Sequence, residues 1–551
     1  MSTVRTARPK LKKVNKLISS TSFTTASARR AAAGEQSKIS LRKSRPTPNK
    51  PTTGIPPRLW AHLIPPMPVI AQTIYRHYKK GPPAKSWSLS FDLAIAVVAD
   101  FLQRSTSKTV EELQAITTVK GIPIPSGINR EKAWIPQEFR HKAGEVLEKL
   151  FSLEDEQAIG WDWRSDRDQV PQLRGEWLES RQGSKNKERI ILYLHGGAYY
   201  LGSYTMYRQF LSKLAKLSDA RVFSIDYRLA PQHPFPAAVE DALAAYMYLI
   251  DGPDKIDPSN IVVAGDSAGG GLTLALLLAL RDAGLQAPAG AMTLSPWVDL
   301  THSLPSIVSN LLTDYLPAVG FKHAPSAAVD YNKLPRPKSK LLKEAASPGP
   351  FGRPSAISSR SSLHREDDID RVQFYADNRV LKHPYVSPVF DKHRLRGLPK
   401  LLVQAGTAER LRDESIYLAL TASNQCNEDI ENDEYIPTNV HLELFVDQPH
   451  VFQIILPTPS SVRAVQNLCN FVRNVTNAKM HDRDHEQPLS VNTITPKGNI
   501  VETTEELMGK FKDGTTWREW EERLARPSIK ARIADIEAAV SRLLKKTSSD
   551  K

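Results

Sequence analysis

Cysteine is nearly absent: Cys426 and Cys469 are the only two in 551 residues. That excludes a disulfide scaffold and favours an intracellular setting. No Cys/His cluster has metal-ligand spacing, and neither a metal nor a cofactor is expected. No signal-peptide apolar core precedes residue 50, and no acid precedes Glu35. The stretch Leu59 to Ile74 is apolar, but Pro65, Pro66 and Pro68 break it, and Arg58 and His62 add polarity. It makes a poor membrane-spanning helix and reads as a membrane-surface element or a pocket cover.

Charge is plentiful but uneven. Of the net +14, residues 1–50 hold +12, from 13 Lys or Arg against Glu35, which leaves +2 for the rest. The folded part is therefore close to neutral, and nucleic acid is not an expected partner. Residues 1–57 are basic, rich in Ser, Thr and Pro, and too poor in apolar residues to fold alone. They read as a disordered basic tail; an organelle transit peptide is the alternative. Expected locations are the cytoplasm or a membrane periphery, with the mitochondrion as alternative.

Residues 58–150 read as a helical N-terminal cap. Apolar spacing marks helices over Phe91–Leu102, Glu111–Ile116 and Ala143–Phe151. From about 160 strands alternate with helices. Apolar runs mark strands at 190–194, 222–225, 261–264, 289–294, 401–404 and 442–446, the last one expected. Helices are expected at 237–250 (amphipathic), 414–424 and 458–475. This alternation predicts an α/β fold with a mostly parallel sheet covered on both faces. The catalytic domain is placed at 151–478, with a disordered Lys/Ser/Pro-rich insertion at about 333–368. Flanking segments near 306–320 and 371–381 are candidates to extend the lid. Residues 479–551 read as a polar linker and a C-terminal amphipathic helix marked by Ile529, Ile533, Ile536, Val540, Leu543 and Leu544.

The chemistry centres on Gly265-Asp-Ser-Ala-Gly269, which fits G-x-S-x-G. A buried strand precedes it and an apolar helix follows it, the context a nucleophile elbow needs. The turn strains the central residue, and flanking glycines remove the side chains that would collide. Asp266 and four glycines in the run argue against a membrane span. Ser267 is the candidate nucleophile. Such a serine needs a base, a group that orients the base, and donors for the oxyanion. His195-Gly-Gly-Ala198 follows the strand 190–194, so the backbone N–H groups of Gly196, Gly197 and Ala268 are the expected donors. His450, after the last expected strand, is the candidate base. Between them lie two acids, Glu409 and Asp413. Asp413 has a competing role as helix N-cap, so Glu409 is favoured and Asp413 is the alternative.

The motifs together resemble the hormone-sensitive-lipase-like family of α/β-hydrolases, the fold-3 branch. Within it the chain is similar to fungal lipase or esterase-like proteins of the steryl acetyl hydrolase type. His195-Gly-Gly-Ala, Asp226-Tyr-Arg-Leu-Ala-Pro-Gln-His-Pro-Phe-Pro-Ala237, Gly265-Asp-Ser-Ala-Gly-Gly270, Ser295-Pro-Trp-Val-Asp-Leu300, Leu411-Arg-Asp-Glu414 and Pro449-His-Val-Phe452 carry the resemblance over about 160–475. The order Ser267, Glu409, His450 matches the family's Ser…acid…His order. The resemblance implies an α/β-hydrolase fold with a helical lid, and a serine esterase; the apolar composition of the lid suggests a hydrophobic small-molecule ester, such as a short-chain acyl ester or an acetylated sterol. Two residues depart from it: Glu409 where many relatives carry Asp, and Ala198 where many carry a third Gly. An amidase or arylformamidase using the same triad is the alternative activity. A non-catalytic receptor is a weaker one, because His450 is retained.

Overall fold

The strands rank by how completely they are buried. The computed structural model describes residues 67–118, 122–183, 188–317, 323–324, 372–425, 435–477, 487–527 and 529–549. The expected basic tail (1–57) and insertion (333–368) lie outside the described residues. In chain order the strands are β1 (Ile128–Ile135), β2 (Leu173–Ser180), β3 (Ile190–Leu194), β4 (Arg221–Ile225), β5 (Ile261–Asp266), β6 (Gly290–Leu294), β7 (Leu401–Gly406), β8 (Val440–Phe445), β9 (Leu489–Ile494) and β10 (Ile500–Glu502). They form one sheet in the order β1-β2-β4-β3-β5-β6-β7-β8-β9-β10. Every pairing from β4 through β3 and β5 to β9 is parallel, while β1–β2, β2–β4 and β9–β10 are antiparallel. Strands β3, β5, β6 and β7 are buried at every residue, as apolar runs covered on both faces must be.

The direction of winding reverses at β3. The chain goes from β3 outward to β4, then returns across β3 to β5. The carboxyl ends of β3 and β5 therefore flank a topological switch point, where open α/β sheets place their ligand crevice.

The longer helices are α1 (Met67–Lys79), α2 (Leu89–Ser105), α3 (Val110–Thr117), α4 (Gln137–Leu150), α5 (Arg208–Ser218), α6 (Ala237–Asp251), α7 (Ala268–Asp282), α8 (Arg412–Ala422), α9 (Pro459–Val475), α10 (Thr515–Ala525) and α11 (Ile529–Ser549). Helices α2, α3 and α4 occupy the three stretches expected to be helical before residue 151. The Thr109 side chain accepts the Glu112 amide, and Glu112 returns a bond to the Thr109 amide, so a capping box starts α3.

Three expectations need correction. Residues 128–150 are not part of a helical cap: β1 is an edge strand of the sheet, and α4 packs on α6. The exposed Arg130, Glu131 and Lys132 hide β1 from an apolar-pattern search; charge of this kind is how edge strands avoid pairing with other chains. The strand at 440–445 is not the last, because β9 and β10 extend the sheet from a region read as polar linker. Leu489, Val491 and Ile494 supply the buried face of β9. Helix α6 is not amphipathic but buried from Ala237 to Met247, including Glu240 and Asp241. The C-terminal amphipathic helix is present as α11. It docks near Ser306–Ser309, with Ile529 and Val540 buried; the side chains of Leu543 and Leu544 lie outside the described residues.

The buried charges of α6 have partners. Asp241 accepts from Arg140 Nε at 2.7 Å and from the Arg228 amide at 2.8 Å, and it also pairs with the Arg228 guanidinium. Arg228 additionally pairs with Asp166 and Glu240. Burial pushes the Asp241 carboxyl up, but Arg228 and Arg140 outweigh it and hold the group below its ordinary value. Removing one partner of such a pair leaves an uncompensated buried charge. Asp241→Ala should therefore lose about 3–5 kcal/mol in urea unfolding. The contribution of Asp241 should be complete above the unfolded carboxyl range and fade as pH falls through its lowered native value. A loss under about 1 kcal/mol would show that the cluster does not hold α6 in place.

Candidate active site

Ser267 sits between the end of β5 and the start of α7 with φ 52° and ψ −120°. A residue with a side chain strains in that region, at a cost of about 1–3 kcal/mol. Three backbone bonds fix it. Its N–H donates to Leu294 O at 2.9 Å, and its carbonyl accepts from Gly271 N at 3.1 Å and Trp297 N at 2.9 Å. The loop after β3 presses against this turn. A Cβ at Gly269 would stand 2.1 Å from Leu194 O and 2.6 Å from His195 O, so only glycine lets the two backbones approach.

His450 Nε2 lies 2.9 Å from Ser267 Oγ. The loop that presents it contains two residues in the left-handed region, Asp447 at φ 60° and Val451 at φ 45°. Two buried atoms beside it have no partner: His450 Nδ1 and Glu409 Oε1. The other carboxylate oxygen of Glu409 accepts from Ser295 Oγ at 2.6 Å, and Ser295 Oγ accepts from the Val451 amide at 3.0 Å. Glu409 thus reaches the histidine loop through Ser295, and no hydrogen bond joins it to the ring among the described residues. Burial drives both groups toward their neutral forms, Glu409 well up and His450 down to about 3.

Asp413 is engaged elsewhere. Its carboxylate accepts from Ser306 N at 2.9 Å and from Arg412 Nε at 2.8 Å. It lies inside the first turn of α8 rather than at the N-cap, which is Leu411. A third acid was not foreseen. Asp314 accepts from the amides of Arg410 at 2.7 Å, Tyr315 at 2.7 Å and His450 at 3.3 Å. It ties the Glu409 loop to the His450 loop, and burial lifts its carboxyl to about 6. Its sequence setting, Thr313-Asp-Tyr315, carries no motif that would have marked it.

The expected oxyanion donors divide. Gly196 N already donates to Asp266 Oδ1 at 2.9 Å and lies 3.1 Å from Tyr207 Oη, so its amide is not free. The amides of Gly197 and Ala198 have no protein acceptor among the described residues, and Ala268 N opens α7, where no intrahelical acceptor exists. Asp266 fixes this arrangement. Besides Gly196 it takes hydrogen bonds from Tyr193 Oη at 2.8 Å and Tyr207 Oη at 2.9 Å. Burial still raises its carboxyl to about 6. In the sequence Asp266 stands as a motif letter and as a charge against a membrane span; the signal for its structural part is its place at the end of a fully buried strand, where an acid must find donors. His195 is engaged by its own loop and by Tyr227. It stacks on Tyr227 at 4.3 Å, hydrogen-bonds Gly196 O through Nδ1 at 2.7 Å, and burial lowers its pKa to about 4.

Residues 191–324 match a family described as alpha/beta hydrolase fold. The chain is 32% identical over 309 residues to an acetyl-hydrolase of Streptomyces hygroscopicus, spanning 82% of that protein and 56% of this chain. The chain belongs to the α/β-hydrolase family of this acetyl-hydrolase. It is also 27% identical over 304 residues to an esterase of Acinetobacter venetianus, spanning 80% of that protein and 55% of this chain. A crystal structure of an esterase from the bacterial hormone-sensitive lipase family aligns with 71% of this chain and 99% of its own, at 26% identity and a TM-score of 0.48. The protein is a carboxylic ester hydrolase.

The N-terminal helices of this hydrolase touch both loops of the site. Trp87 Nε1 donates to Asp447 O, and Ser86 N donates to Asp447 Oδ2 at 3.0 Å. Trp87, Phe91 and Ile95 pack with Phe445 and Phe452 on either side of the histidine. On the other flank Gln114 Nε2 donates to Tyr200 O and Ala230 O at 3.0 Å, and Thr117 Oγ1 accepts from Gly202 N at 3.2 Å. Tyr315 brings its ring within 5.9 Å of that of His450. No helix of the described residues is long and apolar enough to cross a membrane.

Asp266→Ala strips three buried donors of their acceptor and frees the loop that carries Gly197 and Ala198. The variant should keep its far-UV circular dichroism and lose about 10²-fold in kcat, with KM little changed. An unaltered kcat would mean that Asp266 does not position the loop.

Proposed function

We propose that Ser267 is the nucleophile of this ester hydrolase, His450 its base and acid, and Glu409 the carboxylate that holds the imidazole. The observation that carries the reading is the 2.9 Å contact between His450 Nε2 and Ser267 Oγ, at a strained elbow whose serine leaves its own backbone no freedom. Glu409 is preferred to Asp413 because one of its oxygens is buried and unpartnered, as is His450 Nδ1, whereas Asp413 is bound to Ser306 and Arg412. The free amides of Gly197, Ala198 and Ala268 are the oxyanion donors.

In this scheme Ser267 Oγ attacks the ester carbonyl while its proton passes to His450 Nε2. The carbonyl oxygen becomes an anion held by the three amides. Collapse expels the alcohol, which takes the proton from His450 and leaves an acyl-serine. Water then attacks the acyl carbon, giving its proton to His450, and collapse returns that proton to Ser267 and releases the acid.

The substrate we infer is a hydrophobic ester with a short acyl group. The ring of Tyr315 beside His450, and the close packing of Tyr199 and Trp297 against Gly271 one turn after the nucleophile, support a small space. The acetyl-hydrolase name of the Streptomyces relative points the same way. Acetylated sterols belong to this class. Helices α1 to α3 are inferred to be the cover of the site. In α1, Tyr75 and Tyr78 are 65% and 74% exposed beside Lys79 and Lys80, which supports contact with a lipid surface.

Hydrolysis of p-nitrophenyl esters from acetate to palmitate tests the assignment. Ser267→Ala should fall about 10⁴–10⁶-fold, and Glu409→Gln about 10⁴-fold, with Asp413→Asn within tenfold of wild type. A dead Asp413→Asn beside an active Glu409→Gln would reverse the choice of acid. An optimum at long chains would sink the short-acyl reading. Because burial keeps His450 neutral, kcat/KM should stay flat as pH falls through 6.5, the ordinary imidazole value, and drop only below it. An acid limb above 6.5 would contradict that account.

A further inference from the structure

Helix α11, the end of α10 and the segment 302–309 line an open pocket of about 590 Å³. Four arginines line it: Arg523, Arg526, Arg532 and Arg542. The one lining carboxylate, Asp535, is already paired with Arg526. Arg523 pairs with Glu519 on the open face of α10, and Arg542 has no acidic partner among the described residues. Arg532 is the telling member. It is 4% exposed, yet its acceptors are neutral: the hydroxyls of Thr301 and Ser303 and the carbonyls of Leu524 and Arg526. Its Nε is buried and has no partner. The nearest compensation, Asp299, stands one hydroxyl away, bound to Thr301. A buried guanidinium answered by no direct carboxylate, in a pocket lined by four arginines against one acid, is the arrangement that recognises a carboxylate or phosphate. Leu304, Ile307, Ile536 and Ala539 supply an apolar wall beside it. The volume lies in the ordinary range for small-molecule sites, well above what one inorganic anion fills.

We propose that this cavity binds an amphipathic anion, with a carboxylate or phosphate head on the arginines and a short apolar body along Ile307 and Ile536. The cavity is separate from the Ser267 site, none of whose residues line it. Its roof nevertheless matters to that site. Ser306 holds Asp413 and the Arg410 carbonyl, and Asn310 Nδ2 donates to the Glu409 carbonyl at 2.7 Å. A ligand here would bear on the segment 306–310 behind Glu409.

Titration calorimetry on the full chain tests this with four probes: octyl phosphate, octanoate, inorganic phosphate and octanol. Saturable binding of octyl phosphate or octanoate is expected, weakening as salt rises, and whichever binds tighter identifies the head group. The double charge reversal Arg523→Glu/Arg542→Glu lies on the rim and should raise Kd at least tenfold while leaving p-nitrophenyl acetate hydrolysis unchanged. Arg532→Gln, which keeps hydrogen-bonding capacity, should do the same if it folds. Undiminished binding in the double variant would place the ligand elsewhere and overturn the proposal. So would octanol binding as well as octyl phosphate, or inorganic phosphate alone matching it.

Discussion

The carboxylate of Asp266 is the constraint on which the site depends. It is buried, and burial pulls it toward the protonated form. Two tyrosine hydroxyls and the Gly196 amide keep it hydrogen-bonded. Those bonds do more than satisfy a charge. Asp266 precedes Ser267 on β5, and Gly196 follows His195 after β3, so one carboxylate welds the elbow to the neighbouring loop. The weld uses up the Gly196 amide and leaves those of Gly197 and Ala198 unpaired, while glycine at 269 lets the two backbones meet. A geometry held this tightly needs no reorganisation when charge develops on a substrate oxygen, which is the physical basis of oxyanion stabilisation.

A second network stands on the other side of the serine. The strap after β6 reaches two loops and helix α8. Ser295 bonds Glu409 and the amide after His450, Glu414 accepts the amides of Val298 and Asp299, and Asp314 takes amides from both the Glu409 and His450 loops. Four acids thus sit close together, at 299, 314, 409 and 414. Burial and mutual repulsion raise Glu409 and Glu414, and burial alone outweighs the hydrogen bonds that Asp314 accepts. Backbone amides make much of the crowding tolerable: Asp299, Asp314 and Glu414 each accept N–H groups, while Glu409 accepts the Ser295 hydroxyl.

How much of this was legible in the sequence follows from what each residue announces. Parallel strands buried on both faces are continuous apolar runs, so β3 to β8 stood out along with the elbow. The edge strand β1 carries Asn-Arg-Glu-Lys through its middle, and β9 alternates Ser, Asn and Thr with its apolar residues, so neither resembled a core strand. Ser267 and His450 were legible because motif and chain order converge on them. That the Gly196 amide is taken by Asp266 was not legible, because a sequence counts amides but does not show which already have acceptors. Asp314 was invisible for a related reason: its partners are backbone groups 96 and 136 residues away.

Strain shows how the parts combine. Twelve non-glycine residues among those described adopt positive φ, and six of them line the site: Ala198, Tyr199, Ser267, Ser295, Asp447 and Val451. At about 1–3 kcal/mol each, they would together cost as much as the whole net stability of a typical domain, about 5–15 kcal/mol. They persist because rigid structure surrounds them. Beneath are strands buried at every residue and a helix, α7, buried from Ala268 to Leu280. Around them each strained turn is tied by a named bond: Ser267 to Leu294, Ser295 to Gln404, Asp447 to Thr407 and Val451 to Ser295. The charged cluster of α6 and the acids of the strap are therefore part of the same argument as the apolar core. The core supplies the free energy, and the buried polar network directs it into a backbone shape that the local sequence would not adopt by itself.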